Sequence, residues 1–374
     1  MSIGFENYAT PISKEILERA FKILSSDFKT EFIKSLPSSK RLTRNDIVKK
    51  LTQYYEKEKL VLVLGAGVSM GFGLPNWDTL LQKLMITTIE KERNVSTVLS
   101  KIFTSVFSPS PLIAGRYLQK FYEDKKMSFE EAVHKVLYEQ LDIQKDSLLM
   151  DEIVNFCASP GKSPNLDSII SYNFDDILEQ RLSMINIEVP HTPIYGIGMN
   201  SDGTLPIYHV HGYLPHKEKL TKQHQITFGE SIYHKQYIDI YSWNNIVQIN
   251  KFRESNCLFI GSSLTDPNIR RLLDIAKKQK GENDESHFIF KMRHKEENVK
   301  RRLEVLLKEN KEILDEKSKA DLNFDDTVKF LINIIERFEE SDTESFGVKT
   351  IWINDWNDIP AIMKSVRLRN GGIS

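Results

Sequence analysis

Apolar residues along this chain form short continuous runs and longer stretches with helical spacing. The run Leu60 to Leu64 is continuous and is ended by Gly65, which suits a strand that is buried on both faces of a parallel sheet. Similar runs predict further strands over 168–171, 207–210, 257–260, 287–290 and 348–353. Because these strands alternate with helical segments, the pattern predicts an α/β fold with a doubly wound parallel sheet.

Helical spacing predicts three additions to this sheet. Residues 1–55 form an N-terminal helical segment, with Asn45 as a candidate cap before Ile47. Residues of about 79–160 hold several helical stretches and predict a helical insertion, and about 296–340 predict a charged, solvated helical pair. We therefore expect an N-terminal helical segment and one Rossmann-like domain over 56–374 that contains the insertion and the pair.

Charge and cysteine content narrow the classes of function. The chain has 51 basic and 52 acidic residues, so it lacks the basic footprint of a nucleic-acid-binding protein, and we expect no direct nucleic-acid binding. No apolar segment approaches the length of about 18 residues that a membrane span needs, and the first residues lack the pattern of a secretion signal. Cys157 and Cys257 cannot build a disulfide framework or a four-thiolate zinc site within one chain. We expect a cytoplasmic protein without a bound metal.

A glycine-rich turn follows the first predicted strand, in the string GAGVSMGFGLPNW. Glycines at a strand-to-helix turn let backbone N–H groups approach a pyrophosphate. The spacing differs from the dehydrogenase fingerprint, because the third glycine stands at Gly71 where that fingerprint needs it at Met70, and no Walker lysine follows. Taken alone, the segment fits both a dinucleotide-binding loop and a tight turn without a ligand.

Three more predicted strands end in polar or glycine-bearing segments: SYNFD at 171–175, His211-Gly212, and GSS at 261–263. Each has a local explanation, since Asn173 or Asp175 could cap a helix, and His211 could be a histidine in a turn. Asp266-Pro267 reads as a helix cap followed by a first-turn proline. His209 and His211 stand two apart on a predicted strand and would face the same side, which raises a metal site that lacks further ligands.

Together the four segments resemble the four signatures of the sirtuin family, in the family's order, over about 60–77 and 168–273. The resemblance implies that the chain binds NAD and cleaves its nicotinamide–ribose bond. It assigns His211 as the base and Asn173 as the residue that holds the ribose hydroxyls and water. The NAD-binding residues that it implies are Gly65, Ala66, Gly67, Ser69, Gly71, Pro75, Trp77, Asp175, Gly261, Ser262 and Ser263.

Within the family, the chain departs from the deacylating sirtuins. Their zinc module of paired cysteines is absent, and Pro75 is followed by Asn-Trp-Asp where they have Asp-Phe-Arg, which argues against acyl-lysine binding. The segments 228–233 and 259–273, together with Trp243, look like the prokaryotic sirtuin-like branch found in antiphage defence. This likeness implies an NAD hydrolase (NADase) that releases nicotinamide and ADP-ribose, forms a homo-oligomer and pairs with a HerA-type hexameric ATPase.

Two other functions are compatible with the same residues. An NAD-dependent protein deacylase or ADP-ribosyl transferase would use the same loop and His211, with a groove for a second substrate. A non-catalytic module that binds NAD or ADP-ribose would bind without releasing nicotinamide. Release of ADP-ribose without an acyl peptide would exclude both.

Overall fold

The computed structural model of the chain describes residues 42–93, 111–158, 166–228, 238–281, 287–309 and 323–368, together with Glu15 and Arg19. Seven strands form one sheet in the order β3-β4-β2-β1-β5-β6-β7, and each pair of neighbours is parallel. The strands are β1 (Leu60–Leu64), β2 (Leu166–Ser171), β3 (His191–Ile194), β4 (Leu205–His209), β5 (Asn256–Ile260), β6 (His287–Met292) and β7 (Val348–Ile353). The predicted α/β, Rossmann-like sheet is therefore confirmed.

Strand β1 lies at the centre of the sheet, between β2 and β5. All five of its side chains are buried, and alternate residues enter different core clusters. Leu62 packs in the larger cluster with the N-terminal and inserted helices, whereas Val63 packs in the cluster on the opposite face. Strand order reverses at β1, so the carboxyl ends of β1 and its neighbours form the crevice where ligands bind in such sheets.

Helices cover the sheet. They are α1 (Arg44–Glu56), α2 (Trp77–Arg93), α3 (Pro111–Asp124), α4 (Phe129–Leu137), α5 (Leu148–Cys157), α6 (Ile177–Met184), α7 (Trp243–Glu254), α8 (Pro267–Lys280), α9 (Glu296–Glu309), α10 (Phe324–Ser345) and α11 (Asp358–Arg367). None of the helices in the described ranges is long and apolar enough to cross a membrane.

The N-terminal segment ends in α1, which begins two residues earlier than its sequence suggests. Thr43 caps the helix, because its hydroxyl accepts from the Asp46 N–H at 3.2 Å and the Asp46 carboxylate accepts from the Thr43 N–H at 3.1 Å. Asn45 is the second residue of the helix, so its prediction as the cap is wrong. Thr43 is the cap because Asp46 stands three residues after it and completes a reciprocal capping box. Apart from Glu15 and Arg19, the predicted segment before residue 42 lies outside the described residues.

The helical insertion is confirmed as α2 to α5 over its described part, with 94–110 and 159–165 outside it. Helices α9 and α10 lie in the segment predicted as the charged pair, but α10 is solvated on one side only. Its Val328 and Phe330 are buried, and the buried carboxylate of Glu336 pairs with Arg293 at 2.5 Å. Helix α10 therefore packs against the sheet beside β7.

Candidate functional site

Four segments predicted from the sequence meet at the carboxyl edge of the sheet. Leu64, at the end of β1, is the register partner of Ser171 in β2 and of Ile260 in β5, and Ser171 is the partner of His209 in β4. Because these parallel strands end level with one another, the segments that follow them leave the sheet side by side. The structure thus brings the four predicted segments together.

The glycine loops after β1 and β5 are in direct contact. The Gly65 N–H donates to the Ile260 carbonyl at 2.9 Å, and the Gly67 N–H donates to the Gly261 carbonyl at 3.0 Å. A Cβ on Gly65 would lie 2.6 Å from the Gly261 oxygen, and a Cβ on Gly67 would lie 2.8 Å from the Gly261 Cα. Close approach of two backbones therefore requires these glycines, and their N–H groups already have protein acceptors in this conformation.

The rest of the loop after β1 forms two short 3₁₀ turns, Ala66–Val68 and Met70–Phe72. Ala66 is half-buried and Gly71 is exposed, with no atom within 4 Å of where its Cβ would lie. The half-buried Pro75 precedes α2, and the Trp77 ring packs 4.4 Å from the Phe228 ring, centroid to centroid. Segment 229–237, which carries part of the predicted branch signature, lies outside the described residues.

A hydrogen-bonded network joins the loops after β1 and β2. The Asn173 side-chain N–H group donates to the Gly65 carbonyl and to Ser69 Oγ, both at 3.1 Å. Ser69 Oγ in turn donates to Asp175 Oδ1 at 2.9 Å. No hydrogen bond within the described part of the chain uses the Asn173 Oδ1 atom, so this oxygen can accept from a ligand hydroxyl or a water.

Asp175 steadies the loop from inside the protein. Its side chain is buried, and burial raises the pKa of the carboxyl group to about 7. The hydrogen bonds from Ser69 and from the Ile177 N–H lower this pKa, but they do not cancel the effect of burial. The nearby carboxylates of Glu179 and Asp176 raise this pKa further. The observed contacts of Asp175 therefore hold the loop in place.

Replacing Asp175 by Asn is expected to stabilise the protein at alkaline pH. An amide oxygen can accept the hydrogen bonds from Ser69 and Ile177 and carries no charge to desolvate. The folded-state pKa of about 7 lies above the ordinary 3.8, so the wild-type carboxyl destabilises the fold progressively as pH rises between these values. The gain should reach roughly 2–4 kcal/mol above neutral pH.

Urea unfolding of the wild type and of Asp175→Asn, measured from about pH 4 to about pH 8, checks this sign. The free energies of unfolding should converge at the acidic end and separate at the alkaline end. A variant that is less stable than the wild type at alkaline pH would show that the ionised carboxylate helps to hold the loop.

His211 lies just beyond the end of β4, in a turn that only glycine can complete. Gly212 has φ of 109°, and a Cβ there would lie 2.2 Å from the Gln225 carbonyl oxygen. The His211 carbonyl accepts from the Thr227 N–H at 2.6 Å, which ties the turn to the following loop. These contacts explain why glycine follows His211.

The environment of the His211 ring favours its neutral form. The ring is buried, it packs edge-on against Tyr172 at 4.8 Å between centroids, and its Nε2 lies 3.7 Å from Asp266 Oδ2. Burial lowers the pKa of His211 below its ordinary value, and the Asp266 carboxylate only partly opposes this. A neutral imidazole at physiological pH can accept a proton, which is the requirement for a base.

Asp266 serves two elements at once. As predicted, it caps α8, since its Oδ1 accepts from the N–H groups of Asn268 at 2.7 Å and Ile269 at 3.3 Å, with Pro267 as the first helical residue. Its other oxygen, Oδ2, lies towards His211. The cap could be predicted from the sequence. The second contact could not, because Asp266 and His211 are far apart in the chain.

The predicted Ser262 and Ser263 form the turn between β5 and α8. Ser262 Oγ accepts from the Leu264 N–H at 3.4 Å, and the Ser263 hydroxyl lies 2.7 Å from the Thr265 hydroxyl. Ser263 is exposed and Ser262 is half-buried. Both are beside the Gly261 contact, at the β5 end of the site.

His209 and His211 do not face the same side, so the geometry proposed for a two-histidine metal site is wrong. Strand β4 ends at His209, and the turn that follows separates the two rings: His209 bonds to Glu179, whereas His211 lies against Asp266. Over the ranges that the structure describes, no group of three or more His, Cys, Asp or Glu residues could hold a metal.

Comparison with known proteins agrees with this geometry. Residues 167–314 match the family described as SIR2-like domain, a match that covers less than half of the chain but spans the segments of Asn173, His211 and Gly261. A search of the curated proteins finds no match. SIR2-like domains typically belong to NAD-dependent enzymes. Over residues 167–314 the chain is therefore similar to the SIR2-like domain, which supports a sirtuin-like family and an NAD-related activity.

Proposed function

We propose that this protein is an NAD hydrolase that cleaves the nicotinamide–ribose bond and releases nicotinamide and ADP-ribose. The observation that carries the proposal is the juxtaposition at the carboxyl edge of the sheet. The Asn173 amide and the His211 imidazole follow neighbouring strands, β2 and β4, beside the glycine contact between the ends of β1 and β5. A SIR2-like domain over the same segments makes NAD the expected ligand.

The chemistry asks little of the leaving group. The bond between nicotinamide and ribose breaks with its electron pair moving to the pyridine nitrogen. Nicotinamide therefore leaves as a neutral molecule, and positive charge grows on the ribose. Water then attacks the anomeric carbon. The neutral His211 ring accepts the proton that this water loses, and the Asn173 Oδ1 atom accepts a hydrogen bond from a ribose hydroxyl or from the water.

Asp266 is placed to stabilise His211 after the ring has accepted this proton. When His211 takes up a proton its ring becomes positively charged in a buried setting. The Asp266 carboxylate, 3.7 Å from Nε2, then faces a cation and stabilises it. The same carboxylate is held in place by its cap of α8, so it needs no rearrangement during the reaction.

The segment after Pro75 favours hydrolysis over deacylation. The Asn76 side chain accepts from the Thr79 N–H at 2.8 Å at the start of α2, and Trp77 packs against Phe228 and Phe174. These two positions are thus occupied with capping and packing.

On the resemblance to the prokaryotic branch, we extend the proposal to NAD depletion in antiphage defence, a homo-oligomer and a HerA-type ATPase partner.

The test is release of nicotinamide and ADP-ribose from NAD by the purified chain, alone and with a HerA-type ATPase, beside Asn173→Ala. Loss of the amide should lower kcat by about a hundredfold, because the ribose and water lose their fixed positions. Asn155→Ala, on the exposed face of α5, is the matched control and should retain activity.

Three results would contradict the proposal, each in its own way. Turnover that requires an acyl peptide would indicate a deacylase. Tight NAD binding without release of nicotinamide, with and without the ATPase, would indicate a binding module. Full activity of Asn173→Ala would remove that residue from the reaction.

A further inference from the structure

His209, the last residue of β4, contacts both the loop after β2 and helix α6. Its side chain is only 1% exposed. The ring atom Nε2 lies 2.7 Å from Glu179 Oε1, on α6, and Nδ1 lies 3.2 Å from the backbone carbonyl oxygen of Asn173. The ring therefore bridges the helix and the peptide group of a residue that we place in the reaction.

Both partners of the ring are hydrogen-bond acceptors. A backbone carbonyl and an ionised carboxylate have no hydrogen to donate, and a neutral imidazole carries only one N–H. The two contacts of His209 can therefore be satisfied together only by the imidazolium form, with Nδ1–H directed at Asn173 and Nε2–H at Glu179. An ion pair with two directed hydrogen bonds follows.

The surroundings of His209 support this form. Burial lowers the pKa of His209, but the charge of Glu179, the hydrogen bond to it, the hydrogen bond to the Asn173 carbonyl and the charge of Asp175 together raise it above its ordinary value. The Tyr213 ring lies 4.4 Å from the His209 ring, centroid to centroid, and burial raises the pKa of its hydroxyl far above neutrality. The tyrosine therefore contributes no charge.

Within the described residues, the carboxylate of Glu179 depends on His209 for its hydrogen bonding. Its side chain is buried, and its second oxygen, Oε2, has no hydrogen-bond partner within the part of the chain that the structure describes. The thiol of Cys157 lies nearby, and its pKa is raised by burial and by Glu179. The histidine ring thus provides the one hydrogen bond observed to this carboxylate.

We propose that His209 is a positioning residue for the hydrolysis, which fixes the Asn173 peptide group through Nδ1 while Glu179 holds the ring. The proposal rests on the proposed role of Asn173. Since the Asn173 amide already bonds to Gly65 and Ser69, fixing its backbone as well leaves the side-chain oxygen in one place for the ribose or water.

We call the His209 ring with its contacts to Glu179 and to the Asn173 carbonyl the clamp. The clamp should be sensitive to alkaline pH. When His209 loses a proton, the remaining hydrogen stays on Nε2, because its bond to the Glu179 carboxylate is charge-assisted and the stronger of the two. Nδ1 then presents a lone pair to the Asn173 carbonyl, and the two repel. As pH rises through the folded-state pKa of His209, kcat should fall, with little change in KM.

Glu179→Gln and His209→Gln test the clamp by removing different parts of it. A glutamine at 179 can donate to Nε2, which keeps the hydrogen of the neutral ring on Nδ1, so the ratio of kcat at about pH 9 to that at about pH 7 should rise towards one. His209→Gln reaches Glu179 but offers nothing to Asn173, so kcat should fall about tenfold or more at every pH.

His287→Gln is the matched control for loss of a buried imidazole. His287 lies at the start of β6, and its Nδ1 accepts from the Cys257 N–H at 3.0 Å, away from the carboxyl edge. Its replacement should lower stability without changing the alkaline limb of the kcat profile. An alkaline limb that is equally steep in the wild type and in Glu179→Gln would overturn the proposal, as would unchanged kcat in His209→Gln.

A measurement independent of turnover separates this proposal from the proposed function. Labelling of asparagine carbonyls with ¹³C and of phenylalanine amides with ¹⁵N selects three Asn-Phe peptides, one of which is Asn173-Phe174 and is identified by its loss in Phe174→Leu. The Asn173 carbonyl shift should titrate with His209 in the wild type and not in His209→Gln. If it does so while NAD is not hydrolysed, the clamp stands and the hydrolase fails; a carbonyl shift that ignores His209 overturns the clamp.

Discussion

Loss of the His211 imidazole is expected to lower kcat for NAD hydrolysis by about 10²- to 10⁴-fold. The ring is the base that we place on the attacking water, and alanine leaves no group that can take the proton. NAD binding should change little, because the ring lies beyond the end of β4 and the glycine contact between β1 and β5 does not involve it. Nicotinamide release at saturating NAD, beside calorimetric binding of NAD, measures the two effects separately.

The same residue should set the acidic side of the pH profile. Burial lowers the pKa of His211 below 6.5, so kcat/KM should be constant at neutral pH and fall only under more acidic conditions, as the free base is lost. The Asp266 carboxylate opposes this lowering, so Asp266→Asn should move the acidic limb to still lower pH. An unaltered limb in that variant, or turnover of His211→Ala within a few-fold of the wild type, would assign the base elsewhere.

Gly261→Ala is expected to damage both stability and activity. Gly261 has φ of 68°, and a Cβ there would lie 2.7 Å from the Val68 nitrogen and 3.0 Å from the Gly65 carbonyl oxygen. Backbone strain alone costs about 1–3 kcal/mol, and the clash forces the two loops apart. The Gly65 carbonyl, which accepts from Asn173, moves with them. Urea unfolding and NAD hydrolysis should both detect the change.

Gly71→Ala is the matched control for that substitution. It lies in the loop after β1, which Gly261 contacts, its φ is not positive, and no atom lies within 4 Å of where its Cβ would be. Its free energy of unfolding should stay within about 0.5 kcal/mol of the wild type. Equal losses of stability at 71 and 261 would show that the contact between the two loops is not the cause.

The central strands could be predicted because they are buried on both faces. Continuous apolar runs such as Leu60 to Leu64 are the sequence pattern of that burial, and the turns that end them carry glycine or polar residues. Strand β3 could not be predicted in the same way. It has four residues, three of them half-buried, and it contains Pro193. Proline is tolerated there because β3 is an edge strand that pairs only with β4.

Contacts between distant segments explain what else the sequence did not reveal. The ring of His209 suggested a metal ligand because its neighbour at position 211 is also a histidine, whereas its partner, Glu179, lies on the inward face of a helix that follows another strand. Likewise the glycines at 65 and 67 suggested phosphate binding, and the loop that they pack against begins almost two hundred residues later. A sequence pattern describes one segment, whereas each of these contacts depends on two segments that are distant in the chain.

The placement of β1 has a consequence for the order in which the chain matures. Leu64 pairs with residues about one hundred and about two hundred positions further on, so the central strand is completed only by very non-local contacts, which form slowly. A nascent chain that has emerged through the turn after β4 already carries Asn173 and His211, but it lacks Gly261 and Asp266. Growing polypeptides on the ribosome should therefore be unable to consume NAD until β5 and the start of α8 have been synthesised and have docked.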